Sequence, residues 1–208
     1  MVFYFTLASD PTLFCYMGRD KHENELLIKY GWPEDIWFHV DNHSSAHVYL
    51  RMPKGKGIDD LTPEVIEECC QLTKANSIEG CKLNHVRVVY TPWSNLLKTN
   101  GMEIGQVGFQ VESLRRYYTV EKKNNAMLNK LEKTKITKED VDFQALRAER
   151  DAEERRAERK ALLEKQQLEK QEMEARKKAA ELKSYASLMD ETKMRNNQDE
   201  VPDEDDFM

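Results

Sequence analysis

An α+β domain with a mostly antiparallel sheet and packed helices, followed by a long charged helix and a disordered acidic tail, is what this 208-residue chain predicts. Three observations carry the expectation. Short runs of period-two apolar alternation recur through the first 120 residues, which is the pattern of half-buried strands. Two capped helical segments interrupt those runs. From about residue 140 to 189 Gly and Pro are absent, and Glu, Lys, Arg, Ala and Gln dominate.

Residues 2–7 and 12–17 read as paired strands around "ASDP". Asp20 with Glu23 forms a capping box before "ELLIKYG", a short helix ended by Gly31. A hairpin follows over residues 35–51. In "LTPEVIEECCQLTKANS" Thr62 is the N-cap and Pro63 the first helical residue, with Ile66, Cys69, Cys70 and Thr73 as the buried stripe. "HVRVVYT" is a further strand, and "GQVGFQV" with "RRYYTV" reads as a closing pair. The order β-β-α-β-β-α-β-β-β places the domain at residues 1–120. Over residues 121–190 a segment with Met127, Leu128 and Leu131 to pack precedes the charged helix. A heptad register from Phe143 and Leu146 puts Arg150, Glu153, Ala157 and Lys160 at the seam, so a solvated single helix and a partner-dependent coiled coil both stand. Residues 191–208 read as the disordered acidic tail.

The start "MVFYFTLASD" lacks a basic leader, and no run approaches eighteen apolar residues, so neither a signal peptide nor a transmembrane helix is expected. Cys15, Cys69, Cys70 and Cys81 form no CxxC pair and suit reduced thiols. These features point to a cytoplasmic location, with membrane association left open. Residues 1–120 carry 12 Lys/Arg against 15 Asp/Glu, so the domain is mildly acidic. Phosphate contacts must then come from local bases rather than overall charge.

"DIWFHVDNHSSAHVYLR", residues 35–51, is the densest stretch of chemistry. Ile36, Phe38, Val40, Val48 and Leu50 alternate with other residues, and Asp41–Ser45 supplies the turn. Pairing about His43 sets 35 opposite 51, 36 opposite 50, 37 opposite 49, 38 opposite 48 and 39 opposite 47. One face is then wholly apolar, and the other holds Asp35, Trp37, His39, His47, Tyr49 and Arg51. Four readings of that second face compete: cross-strand pairs under a covering loop, a platform for stacked bases, a metal site, and acid–base catalysis. A metal site wants a third ligand, and catalysis wants a nucleophile or a glycine-rich loop. We therefore assign no catalytic residue, metal or cofactor.

The residues "YMGRDKHENELLIKYGWPEDIWFHVDNHSSAHVYL" and "VVYTPWSNLLKTNGMEIGQVGF" resemble the NFACT-R domain family, the RNA-binding module of the NEMF and RqcH proteins of ribosome-associated quality control. The matching features are Gly18 with Asn24, Asp35-x-Trp37-Phe38-His39, His47-Val48, and Tyr90-Thr91 before Lys98, Gly101 and Gly105, over about residues 2–120. Two departures stand out. The N-terminal and helix-hairpin-helix domains of the long proteins are absent, and the family's Gly-Ser before the second His is Ser45-Ala46. The resemblance implies a non-enzymatic nucleic-acid-binding module for RNA or a ribonucleoprotein, with DNA as an alternative ligand. It raises the base-platform reading, in which Asp35, Trp37, His39, His47, Tyr49 and Arg51 form the face, and Lys54, Lys56 and Lys98 add phosphate contacts. An adaptor role is the alternative. Leu182, Tyr185 and Met189 make an apolar stripe after the charged stretch, a pattern suited to docking a protein partner.

Overall fold

A computed structural model describes residues 1–183. Its first compact unit spans Met1–Arg150. The elements are β1 (Val2–Thr6), β2 (Phe14–Gly18), α1 (Lys21–Tyr30), β3 (Asp35–Val40), β4 (Val48–Arg51), α2 (Pro63–Ala75), β5 (Val86–Pro92), β6 (Leu96–Leu97), β7 (Gly108–Phe109), β8 (Arg116–Val120), α3 (Asn125–Lys133), β9 (Ile136–Lys138) and α4 (Phe143–Lys183). Seven strands form one sheet in the order β8-β5-β3-β4-β2-β1-β9, with every neighbouring pair antiparallel. The fold is α+β, as the alternation predicts.

Each sheet face carries its own core. On the first, Phe5, Cys15, Ile36, Phe38, Val48, Leu50 and Val88 meet Val65, Cys69, Cys70 and Leu72 of α2 and Leu131 of α3. Thr62 caps α2 by accepting from Val65 N–H, and Pro63 sits where the helix has no intrahelical partner for an N–H. All four cysteines are free thiols. The sequence expectation for α3 holds, since Leu128 and Leu131 are its buried residues.

The second face is covered by α1, by the segment from Trp93 to Phe109, and by Phe143 at the start of α4. α1 begins where the Asp20 carboxylate accepts from His22 and Glu23 N–H. Glu23 reaches back to Arg19 N–H, one residue beyond the expected box. Gly31 ends α1 for a different reason than the expected left-handed cap. Its φ is −57°, and a Cβ there would overlap the Trp93 indole, whose Nε1 donates to Ile28 O at 2.9 Å. Glycine is required by close approach.

Two strand expectations need correction. Residues 105–111 do not pair with 115–120; Gly108–Phe109 pairs instead with Leu96–Leu97 in a separate two-stranded sheet, and β8 pairs with β5. β9 was not foreseen, because "ITK" is too short and polar to signal a strand; it pairs with β1 at the sheet edge. Beyond Arg150 the described chain is the remainder of α4, which has no buried residue. Among the described residues no helix is long and apolar enough to cross a membrane.

Candidate nucleic-acid interface

Over four pairs the 35–51 hairpin has the register its alternation predicts, with Asp35, Ile36, Trp37 and Phe38 opposite Arg51, Leu50, Tyr49 and Val48. The expected 39/47 pair is not in the ladder, because β4 starts at Val48 and Ala46 N–H donates instead to Asn76 O. The neighbouring strands extend the second face into rows. One runs Tyr4, Tyr16, Tyr49, Trp37, Thr91 across five strands. Adjacent tyrosine rings stack at centroid distances of 5.7 and 5.2 Å. The next row runs Tyr117, Val89, His39 from β8 through β5 to β3.

The middle of the first row is interior, which corrects the expectation of an open platform. Trp37 is 2% exposed and Tyr49 is 0% exposed. Leu27 of α1, Leu96, Val107 and Phe109 close over them. The face points away from the first core only to enter a second one. No base can stack on Trp37 or Tyr49 as they stand, and each contributes burial energy of roughly 1.5–3 kcal/mol instead.

Asp35 and Arg51 are likewise structural rather than exposed contacts. The Asp35 carboxylate, fully buried, accepts from Tyr16 Oη at 2.6 Å, Trp32 N–H at 2.8 Å, and Nε and Nη2 of Arg51. The Arg51 guanidinium also lies 3.7 Å from the centroid of Trp32. A buried carboxylate is costly without this density of donors. Burial and the neighbouring Asp35 push the Tyr16 hydroxyl well above its ordinary range.

Lys98 is also committed. Its three donors go to Glu25 Oε2 at 2.9 Å, Glu103 O at 2.7 Å and Gln106 O at 3.0 Å. Glu25 further accepts from the N–H of Gly105, which has φ +83°. The Lys98–Gly101–Gly105 motif therefore pins the 98–106 loop onto α1, and the Gly18/Asn24 pair is a close approach, since a Cβ on Gly18 would strike Asn24. Lys54 and Lys56 are exposed in the turn after β4. Leu182 is 78% exposed on α4, whereas Tyr185 and Met189 lie outside the described residues.

Openings remain at both ends of this face: one of about 180 Å³ lined by Tyr4, Phe14, Tyr16, Trp32 and Arg51, among others, and one at the β8–β5–β3 end. The second, a pocket of about 190 Å³, is lined by Trp37, His39, Asp41, His47, Gln106 and Phe109, among others. His39 stacks on Trp37 with rings 3° from parallel at 5.3 Å, and His47 meets both edge-on at 5.2 and 5.0 Å. Burial, then His39 and Lys98, push the His47 imidazole down to about 3, and burial lowers His39 too. Both therefore act as neutral rings at neutral pH. Trp37 Nε1 and His47 Nδ1 are buried without a hydrogen-bond partner.

Beside the pocket, cations and rings alternate. Arg115 lies 4.9 Å from the centroid of Phe109 and 6.0 Å from that of Tyr117, and Arg87 lies 4.6 Å from Tyr117. Tyr117 is 42% exposed. Phe109, Arg115 and Tyr117 were missed as site residues. The signal for Tyr117 was present in "RRYYTV", whose period of two sets Arg115, Tyr117 and Thr119 on one face. Among the described residues no group of three His, Cys, Asp or Glu could hold a metal.

Residues 1–111 match the family model described as NFACT protein RNA binding domain. Over the full length of both chains, the sequence is 54% identical to coiled-coil domain-containing protein 25 of Mus musculus and 60% identical to that of Danio rerio. Protein JLP2 of Saccharomyces cerevisiae is 42% identical over 146 residues, covering 65% of this chain and 68% of that one. The C-terminal structure of the fibronectin/fibrinogen-binding protein from Streptococcus suis superposes with a TM-score of 0.51 at 22% identity. That match covers 64% of this chain and about half (48%) of the solved one, and it bears on the fold alone.

Proposed function

The chain belongs to the NFACT-R family of RNA-binding domains, and from that premise we propose that it binds unpaired RNA, alone or in a ribonucleoprotein, at the β8–β5–β3 end of its second sheet face. The observation that carries the reading is the alternation of Phe109, Arg115, Tyr117 and Arg87 beside the His39 pocket. Unstacked bases are held by aromatic and guanidinium planes, and a sheet surface presents such groups at the spacing of successive strands. Tyr117 is the exposed ring, His39 the half-buried one, and Arg87 and Arg115, ion-paired to Asp41 and Glu112, offer a phosphate the N–H groups those pairs leave. The role is non-enzymatic, and family resemblance favours tRNA or ribosomal RNA as the ligand. The domain carries 12 bases against 15 acids, so attraction is local and salt-sensitive.

Titration of a labelled single-stranded RNA by the full chain tests this. Tyr117→Ala should weaken binding by roughly 1–3 kcal/mol, the value of one lost base–aromatic stack, while leaving thermal stability nearly unchanged. Arg87→Gln or Arg115→Gln should flatten the salt dependence by about 0.7 of a logarithmic unit per lost phosphate contact. A folded Tyr117→Ala variant with wild-type affinity refutes the site. Equal affinity for the matching DNA strand would assign the surface to either nucleic acid, since stacking is indifferent to the 2′-hydroxyl.

A further inference from the structure

The alternation of rings and cations explains affinity for any base; the pocket beside it has the chemistry to choose one. Its polar end is Asp41. The backbone there is held by Asp41 N–H donating to Arg87 O at 2.9 Å, and Oδ2 of the carboxylate receives Arg87 Nε at 2.7 Å, Arg87 Nη2 and Asn42 Nδ2 at 3.3 Å, so the acceptor left for a ligand is Oδ1. Asn42 makes this turn with φ +61°, a conformation Asn tolerates better than most residues. The carboxylate is thus fixed in place at the pocket lining, with its side chain 20% exposed.

Gln106 also lines the pocket, on the loop that Lys98 and Gly105 tie to α1. Its Oε1 accepts from Glu103 N–H at 3.1 Å, so the group it can offer a ligand is the amide NH₂. The walls are aromatic: Phe109 meets Trp37 at 5.8 Å, and His39 lies parallel to Trp37. His47, 5% exposed, and Trp37 line the same pocket, and each holds a buried polar atom without a partner, Nδ1 and Nε1. Interior polar groups of this kind are costly unless something satisfies them.

We propose that this pocket takes one unstacked nucleobase and selects guanine. The inference rests on the RNA-binding reading above and adds the identity of the base. An ionised carboxylate only accepts hydrogen bonds. Guanine alone among the four bases sets two donors, N1–H and N2–H₂, side by side on one edge, with the O6 acceptor next to them. Asp41 Oδ1 takes the two donors, and the Gln106 or Asn42 amide donates to O6. Adenine would turn its N1 lone pair toward the carboxylate, and uracil and cytosine each flank their donor with an acceptor. Charge and hydrogen-bond direction therefore both reject the other bases.

The test is fluorescence anisotropy with the full chain and four labelled nonamers, U4GU4, U4AU4, U4CU4 and U9, at one salt concentration. The wild type should prefer U4GU4 by about 10-fold or more, within the range of one bidentate base contact. Asp41→Asn should bring that ratio within about twofold, because its amide presents a donor where guanine needs an acceptor. Tyr117→Ala should weaken all four RNAs together and keep the ratio. Should Asp41→Asn fail to fold, competition on the wild type decides: guanosine monophosphate must displace the U4GU4 probe at lower concentration than adenosine monophosphate. Measurable binding with no guanine preference overturns the pocket assignment and leaves RNA binding standing. A preference that survives in a folded Asp41→Asn variant also overturns it. Absence of binding to all four RNAs overturns the RNA-binding reading and this inference with it.

Discussion

Acidification should destabilise this domain through His47 in a way that can be isolated by one substitution. The imidazole is 5% exposed and its folded value is held at about 3, below the ordinary 6.5, by burial first and then by His39 and Lys98. Between those values the unfolded chain binds a proton that the folded chain does not. Stability therefore rises with pH through this window and is lost as pH falls. Each unit of separation corresponds to about 1.4 kcal/mol. Going from pH 7 to pH 5 should then withdraw roughly 2 kcal/mol from His47 alone, and about 3 kcal/mol by pH 4. His39, lowered by the same cause, adds to the loss with the same sign. Carboxylates also titrate in this range, so the informative quantity is a difference. Urea unfolding of wild type and His47→Gln at pH 7 and pH 5 should show the variant losing about 2 kcal/mol less, since its amide does not titrate. Equal losses in the two proteins would refute the buried, neutral imidazole, as would an NMR titration in which His47 protonates near 6.5.

Two further perturbations read the second core. Arg51→Leu leaves the fully buried Asp35 carboxylate without its cation and should cost about 3–5 kcal/mol in chemical denaturation; a loss under about 1 kcal/mol would mean that Tyr16 Oη and Trp32 N–H suffice. Gly31→Ala separates two explanations by sign. At φ −57° alanine is conformationally acceptable and on backbone grounds alone would stabilise by about 0.4–1 kcal/mol, whereas overlap of its Cβ with the Trp93 indole should cost roughly 1–3 kcal/mol. A raised melting temperature would show that Trp93 moves aside freely.

The hairpin shows how far a local pattern reaches. Alternation over residues 35–51 specified the register of the four paired positions and the two sets of side chains, because the period of two is a property of the backbone itself. The caps at Asp20 and Thr62 were legible for a similar reason, since a side-chain oxygen near the first free N–H groups is a contact within four residues. The same locality explains the misreading of Gly31 and Lys98. Both carry motif signals, yet each answers to a partner far along the chain, Trp93 in one case and Glu25 in the other.

Whether the second face meets solvent or a second layer was not a local question. Asp35, Trp37, Tyr49 and Arg51 have the composition of a binding surface and also of a polar-edged core, and their sequence neighbours are identical under either reading. The choice was made by α1 and the 93–109 segment, which bring Leu27, Leu96, Val107 and Phe109 over the row. The β8–β5–β3 end was decided in the same way, by β8 pairing with β5 and carrying Tyr117 beside Val89 and His39. The sequence by itself determined most of the strands, the hairpin's register and its two faces, and the helix starts, all set by contacts and periodicities within a few residues. Only the tertiary structure decided which aromatic rings are interior, which stand open beside Arg87 and Arg115, and which polar atoms line the pocket, because exposure depends on what distant segments cover.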